Sequence, residues 1–293
     1  MPGGPVVTLP PGTGAAAVSR VLVVADGDIL PHAVRAVRES GTLFEHARVH
    51  AIRRLESGRG PLYVTRLGDR DCVVRHARRG GALARLLGDL HARIGTPRPV
   101  TELAVSRAIA ALGLPTPAVL AVAVYPGPAW FYRGDVATQW IPGSVDLADA
   151  VFSGEGEREG TAAGASQIRL DAPIAAFAAG RLVREMHRHR VDHPDLNLKN
   201  ILLTAGAGEG EGESGVRALL VDLDRVRIRE RLSEARTAAM LRRFERSWRK
   251  WERATGRPAP AALEVFHAGY AEAPQPHAHR HPSSPAGKQE SRR

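Results

Sequence analysis

Apolar positions follow two periods along this chain, and the change from one to the other outlines the fold. The unbroken run Val21-Leu22-Val23-Val24-Ala25 predicts a strand, and Pro31 to about Glu39 has helical spacing. Pro61-Leu62-Tyr63-Val64 and Cys72-Val73-Val74-Arg75 predict two paired strands around the turn Gly68-Asp69-Arg70-Asp71. A helix follows from Thr101 to about Leu112, stopped by Gly113 and Pro115. Val119–Val124 and Asp135–Ile141 again have strand character. After Ile141 the pattern changes. A short helix is predicted near Leu147–Val151 and a longer one over Pro173–Arg190, where Ile174, Phe177, Leu182, Val183 and Met186 form one stripe. Ile201-Leu202-Leu203 and Leu219-Leu220-Val221 predict two short strands, and Ser233–Arg253 a basic helix.

Strands and one helix come first and helices later, with a small hairpin between, which is an α+β arrangement with a hinge expected near residues 139–143. Residues 1–20, rich in Gly, Pro and Ala, are expected to be a flexible leader. Residues 21–141 form a β-rich first lobe and 142–268 a mainly helical second lobe. Residues 269–293, rich in Pro, His and Ser, are expected to be a disordered tail. The Gly/Glu tracts 154–166 and 206–215 read as solvated loop insertions.

Composition narrows the function classes. With 43% hydrophobic and 25% charged residues, the 293-residue chain is long enough for two lobes around a cleft. Its net charge of +10 is almost wholly arginine, because only Lys199, Lys250 and Lys288 are lysines. Part of that excess is ordinary for a chain so rich in arginine and alanine. Arginine nonetheless favours anionic partners, since its planar fork grips phosphate or carboxylate with two hydrogen bonds. An aromatic content of 5% speaks against base stacking, and no nucleic-acid partner is expected. The single Cys72 excludes an internal disulfide and suits a reducing compartment. No apolar run approaches the ~20 residues of a membrane span, and Met1–Pro5 has no secretory character. A cytoplasmic protein is expected, with room for peripheral contact with the inner membrane.

The chemistry is concentrated between residues 193 and 224. His193-Pro194-Asp195-Leu196-Asn197-Leu198-Lys199-Asn200 keeps the spacing His-x-Asp-Leu-x-x-x-Asn of kinase catalytic loops, with Pro194 in place of the usual Arg. Asp222 closes the second short strand, where a metal-binding Asp belongs, and Asp224 stands in the position of the usual Gly. Phosphoryl transfer needs a carboxylate to orient the attacking hydroxyl, a cation for the phosphates and oxygen ligands for Mg²⁺. A hairpin between the two strands would set Asn200 beside Asp222 with Asp195 facing them. That combination implies a protein-kinase-like two-lobed fold, with the nucleotide bound by the first lobe.

The same segments resemble the lipopolysaccharide kinase family, and within it the 3-deoxy-D-manno-octulosonic acid (Kdo) kinases. Cys72–Gly81, with its strand and Arg-Gly-Gly turn, Leu112–Pro117 and Leu241–Ser247 are similar to the family as well, so the likeness extends over about residues 42–252. The resemblance implies an enzyme that uses ATP and Mg²⁺ to phosphorylate a Kdo hydroxyl of a lipid A precursor. By it Asp195 is the catalytic base, Asn200 and Asp222 hold Mg²⁺, and Glu102 is the helix glutamate that anchors the ATP-binding cation. No lysine precedes Lys199, so Arg75 at its strand end is expected to be that cation, with Arg78 and Arg79 as substitutes. Gly58 and Gly60, in Ser57-Gly58-Arg59-Gly60, are expected to cover the phosphates. Asn197 stands where protein kinases carry a loop lysine and is expected to meet the γ-phosphate or the acceptor. His193 is expected to hold the loop rather than move protons. The basic helix can present Trp and Arg to a lipid surface, or bury its apolar stripe and leave a solvated basic face; the second is the expectation. Two other readings remain: a small-molecule kinase of the aminoglycoside or choline type, and a nucleotide-binding pseudokinase.

Overall fold

The computed structural model describes residues 9–55, 60–77, 89–153, 170–205 and 215–272. The first lobe is built on an antiparallel sheet of β1 (Thr13–Val18), β2 (Val21–Asp26), β3 (Arg53–Leu55), β4 (Leu62–Leu67), β5 (Arg70–His76), β6 (His91–Ala92), β7 (Val119–Pro126) and β8 (Phe131–Gln139). Their order is β1-β2-β7-β8-β5-β4-β3, with β6 on β8. The central strands β2 and β7 are apolar at consecutive positions because both faces of the sheet are covered. Val23, Ala25, Ala121 and Ala123 join the core under α1 (Leu30–Ser40) and α2 (Leu43–Val49). Val24 and Val122 join Val100 and Leu103 of α3 (Arg98–Ala111) on the other side. Each such valine contributes about 1.5–3 kcal/mol of burial.

The expected leader is corrected here. Residues 13–18 pair with β2 along its whole length, Thr13 opposite Asp26 and Val18 opposite Val21. The consecutive alanines Ala15–Ala17 serve in an edge strand despite their modest β propensity, because the partner's backbone groups are otherwise unpaired. Helix α2 and strand β3 were not among the predicted elements, since seven- and three-residue pieces are too short to show a period. The N-terminus of α2 is fixed from outside by a buried carboxylate: Asp135 accepts from the Phe44 amide (2.9 Å) and from the Tyr125 hydroxyl (2.9 Å).

The chain leaves β8 through Trp140–Ser144, where Gly143 takes a positive φ of 70°. The second lobe comprises α4 (Leu147–Phe152), α5 (Ala172–Arg188), α6 (Glu234–Thr255) and α7 (Pro260–Ala271), with short strands β9 (Val145–Asp146), β10 (Val191–Asp192), β11 (Ile201–Ala205), β12 (Val216–Leu220) and β13 (Arg227–Ile228). Met240, Phe244 and Trp248 of α6 recur every fourth residue and are buried in its core, so the apolar stripe of the basic helix faces inward. Helix α7 runs through Ala271, past the expected lobe end at 268, and packs against α5. That crossing is close: a Cβ on Gly180 would collide with the Phe266 carbonyl, and one on Gly269 with the Phe177 carbonyl. Leu147, Leu196, Leu198 and Ile201 enter the same core, so the expected catalytic loop is anchored on both sides by buried apolar residues.

Candidate active site

The loop 193–200 connects β10 to β11, and its polar side chains are spent largely on holding its own shape. The amide of Asn200 donates to the Asp195 carbonyl at 2.9 Å, and that of Asn197 donates to the same carbonyl at 2.7 Å. The Asn197 side-chain oxygen in turn accepts from the Lys199 amide at 2.9 Å, capping the turn Leu198–Asn200. Asn197, expected at the γ-phosphate or the acceptor, is here a brace within the loop. Lys199 points away toward α4, with its ammonium 2.9 Å from both Asp146 and Asp149 and over the Trp251 ring.

Strand pairing brings the second half of the site alongside. Ile201 lies opposite Leu220, and the Val221 amide donates to the Asn200 carbonyl at 3.1 Å, which sets Asp222 next to Asn200. Asp222 adopts the left-handed conformation (φ 61°, ψ 61°), sparsely populated for a residue with a side chain and a recurrent mark of functional positions. His193 supports this bend. Its Nε2 lies 3.1 Å from the Val221 carbonyl, and burial lowers its pKa, so the neutral ring donates there. The expected holding role of His193 agrees with that geometry.

Arg75, at the end of β5, reaches across to α3, where its guanidinium donates to Glu102 at 2.5 Å. Glu102 is 5% exposed at its side chain. Burial, with Asp224 and Asp222 nearby, pushes its carboxyl upward against the opposing pull of Arg75. The guanidinium is partly buried, which disfavours its charge, but Glu102 and Asp222 outweigh this and keep it protonated. One cation therefore links the helix glutamate to the Asp222–Asp224 turn. Gly60 precedes β4 with a positive φ of 113°. Gly58, Arg59, Arg78 and Arg79 lie outside the described residues.

Three features had no counterpart in the sequence pattern. Both carboxylate oxygens of Asp195 are engaged by arginines, Oδ1 by Arg243 of α6 and Oδ2 by Arg225 at 3.4 Å. Asp192, 1% exposed, is clamped by Arg229 (2.6 Å) and Arg236 (2.9 Å). Desolvation raises its pKa, but the two guanidinium groups outweigh that and hold it below the ordinary carboxylate value. Asp224 faces Arg98 at 3.8 Å, and burial with the charge of Asp222 raises its pKa. The runs of arginine were visible in the sequence; which carboxylate each one meets depends on how α6 and residues 225–229 fold back over the loop.

The oxygen donors suit magnesium. The Asn200 amide nitrogen is used by Asp195, which leaves its Oδ1 as the ligating atom, and Asp222 adds a carboxylate. Mg²⁺ commonly takes only one or two protein oxygens and fills its octahedron with water and phosphate. Among the described residues no group of three or more His, Cys, Asp or Glu side chains gathers to hold a metal alone, as this mode requires none.

The chain is similar to several known proteins. The model of the lipopolysaccharide kinase (Kdo/WaaP) family matches residues 44–270. The 3-deoxy-D-manno-octulosonic acid kinase of Xylella fastidiosa (strain 9a5c) is 30% identical over 184 residues, 62% of this chain and 63% of that one. The enzyme of the same description from Haemophilus influenzae (strain Rd) is 27% identical over 199 residues, 66% and 73% of the two chains. That from Photobacterium profundum is 30% identical over 196 residues, 66% and 71%. The chain thus spans 63% of the length of the Xylella relative it matches. A solved structure described as WaaP in complex with acyl carrier protein superposes with a TM-score of 0.42 at 18% identity, covering 80% of this chain and 91% of that one.

Proposed function

As the chain belongs to the lipopolysaccharide kinase (Kdo/WaaP) family, we propose that it is an ATP-dependent phosphotransferase acting on a Kdo hydroxyl of a lipid A precursor in lipopolysaccharide core synthesis. The observation that supports this reading is that the Asn200 side chain bonds the Asp195 carbonyl while the Val221 amide bonds the Asn200 carbonyl, so that Asp195, Asn200 and Asp222 lie on adjoining stretches of backbone. Asp195 orients the acceptor hydroxyl and takes its proton on a carboxylate oxygen. Arg225 and Arg243 already hold those oxygens, so the hydroxyl must share one of them or displace a guanidinium. Asn200 Oδ1 and Asp222 would hold Mg²⁺, which when bound neutralises the phosphate oxygens and draws charge from the leaving group. Arg75, steadied by Glu102, replaces the lysine that protein kinases use to grip the phosphates, and its fork allows it to hold carboxylate and phosphate together.

No described helix is long and apolar enough to cross a membrane. A lipid-linked acceptor would then be met by peripheral docking on the cytoplasmic side, where ATP is available. The test is transfer of labelled phosphate from ATP to Kdo-lipid A, free Kdo and an aminoglycoside, with the Asp195→Ala variant as control. Label on the lipid-linked sugar alone, lost by about 10²–10⁴-fold in the variant while nucleotide still binds, is the expected result. Label on the aminoglycoside alone selects a small-molecule kinase, and full activity in the variant removes Asp195 from its role.

A further inference from the structure

Beside the loop that carries Asp195 lies a polar cavity of about 500 Å³ whose charge is unbalanced. Among the described residues five arginines line it, Arg98, Arg225, Arg227, Arg229 and Arg236, and the only carboxylates are Asp192 and Asp224. These guanidinium groups come from three separate parts of the fold: the first turn of α3, the stretch after the Asp222 turn, and the start of α6. Their partners do not use them up. Asp192 consumes Arg229 and Arg236. Asp224 meets Arg98 only at 3.8 Å, and Arg227 forms no ion pair with a carboxylate among the described residues. Arg225 is shared, since it lines the cavity while its guanidinium approaches Asp195. Like charges brought together around one space cost free energy unless an anion joins them.

We propose that this cavity is the specificity site for a carboxylate carried by the acceptor sugar itself, gripped chiefly by Arg98 and Arg227. The inference rests on the kinase reading above and adds what selects the substrate: an acidic sugar in preference to a neutral one. The distance argument chooses among anions. Pro194 lines the cavity next in sequence to Asp195, and Arg225 touches both, so an anion seated there is about one side chain from the attacking hydroxyl. A carboxylate on the reacting ring meets that reach, whereas a phosphate several sugars away does not. Occupation would also draw Arg225 toward the cavity and leave an oxygen of Asp195 to the hydroxyl, so that the base becomes available when the correct acceptor is bound.

Arg98, with 44% of its side chain exposed, meets the 22%-exposed Asp224 only at 3.8 Å, and Arg227 is exposed, so replacing them disturbs less buried charge than replacing the two partners of Asp192, which is 1% exposed. The test uses the full chain and its R98Q/R227Q variant, with the sugar acid and its methyl ester as paired acceptors and ATP as donor. In the wild-type protein the ester is expected to raise KM about 10- to 100-fold, the range for losing charge-assisted hydrogen bonds. In the variant the acid should fall to the level of the ester, with KM for ATP unchanged. Retained preference for acid over ester, or a change confined to ATP, overturns the proposal. Calorimetric titration of acid and ester, with a non-hydrolysable ATP analogue and Mg²⁺ present, separates the two levels of inference. If the wild-type protein transfers nothing to the sugar yet binds acid over ester, and R98Q/R227Q abolishes that difference, the kinase reading fails and the carboxylate site stands. Equal binding of acid and ester by the wild-type protein sinks the site whatever the activity.

Discussion

Replacing Arg75 by Ala removes the cation paired with Glu102, with the charges of Asp222 and Asp224 close by, and the cost follows from the burial of that glutamate. Glu102 is 5% exposed at its side chain and pairs with Arg75 at 2.5 Å. Breaking such a pair by deleting one partner leaves an uncompensated charge and costs about 3–5 kcal/mol. For a chain of this size 1 kcal/mol moves Tm by about 2–4 °C, so the variant should melt about 6–20 °C lower. The deficit should depend on pH with a definite sign. Burial already raises the carboxyl of Glu102 above its ordinary value, and without Arg75 nothing opposes the rise. A group whose folded pKa is raised supplies its stability below the unfolded value and loses it as pH climbs through the folded one. The gap between variant and wild type should therefore shrink toward about pH 4 and widen toward pH 7. The assay is thermal unfolding across that range, with ATP binding measured in parallel. The double variant R75M/E102L, which removes both charges, should recover most of the lost stability but none of the nucleotide affinity. A single variant that melts within about 2 °C of wild type at pH 7 and binds ATP unchanged would refute the reasoning.

Other outcomes follow from packing and burial. Gly180→Ala drives a Cβ into the Phe266 carbonyl at the α5–α7 crossing, and should cost about 3 kcal/mol or more in chemical denaturation. Asp192→Asn should lower stability by about 2–3 kcal/mol, less than a fully buried pair because both arginines are at least 40% exposed. Because the pKa of Asp192 is depressed, the wild-type advantage should hold above about pH 4 and vanish as acid titrates the carboxylate. Burial pushes the Cys72 thiol up to about 12, so native protein should react with a thiol reagent only after unfolding. Rapid labelling of the folded chain at pH 8 would contradict its place in the sheet.

Much of the candidate site was legible because the kinase-loop motif constrains spacing. The interval from His193 to Asn200 and the two short apolar runs around residues 206–215 were enough to foresee a hairpin carrying Asn200 and Asp222. The pairing of Arg75 with Glu102 was implied by the family resemblance, which puts a helix glutamate opposite the strand-end cation. The bracing contacts of Asn197 were not foreseen: its position in the motif suggests an outward role, and its amide also bridges two backbone groups inside the loop. β1 was missed because alanine and glycine give little strand signal by themselves. Pairing with β2 supplies the missing stabilisation through backbone hydrogen bonds, which depend little on side-chain identity.

Local order in the chain thus determined the elements and the carboxylates, because periodicity and motif spacing act over a few residues at a time. Apart from Arg75, the partners of the site's arginines were a matter for the tertiary structure alone. Arg243 stands 48 residues from Asp195, Arg236 44 residues from Asp192 and Arg98 far from Asp224, and no periodic signal connects them. Charges interact through space, and only the folding of α6 and α3 onto the loop decided which of these many alike cations lie within reach of each acid.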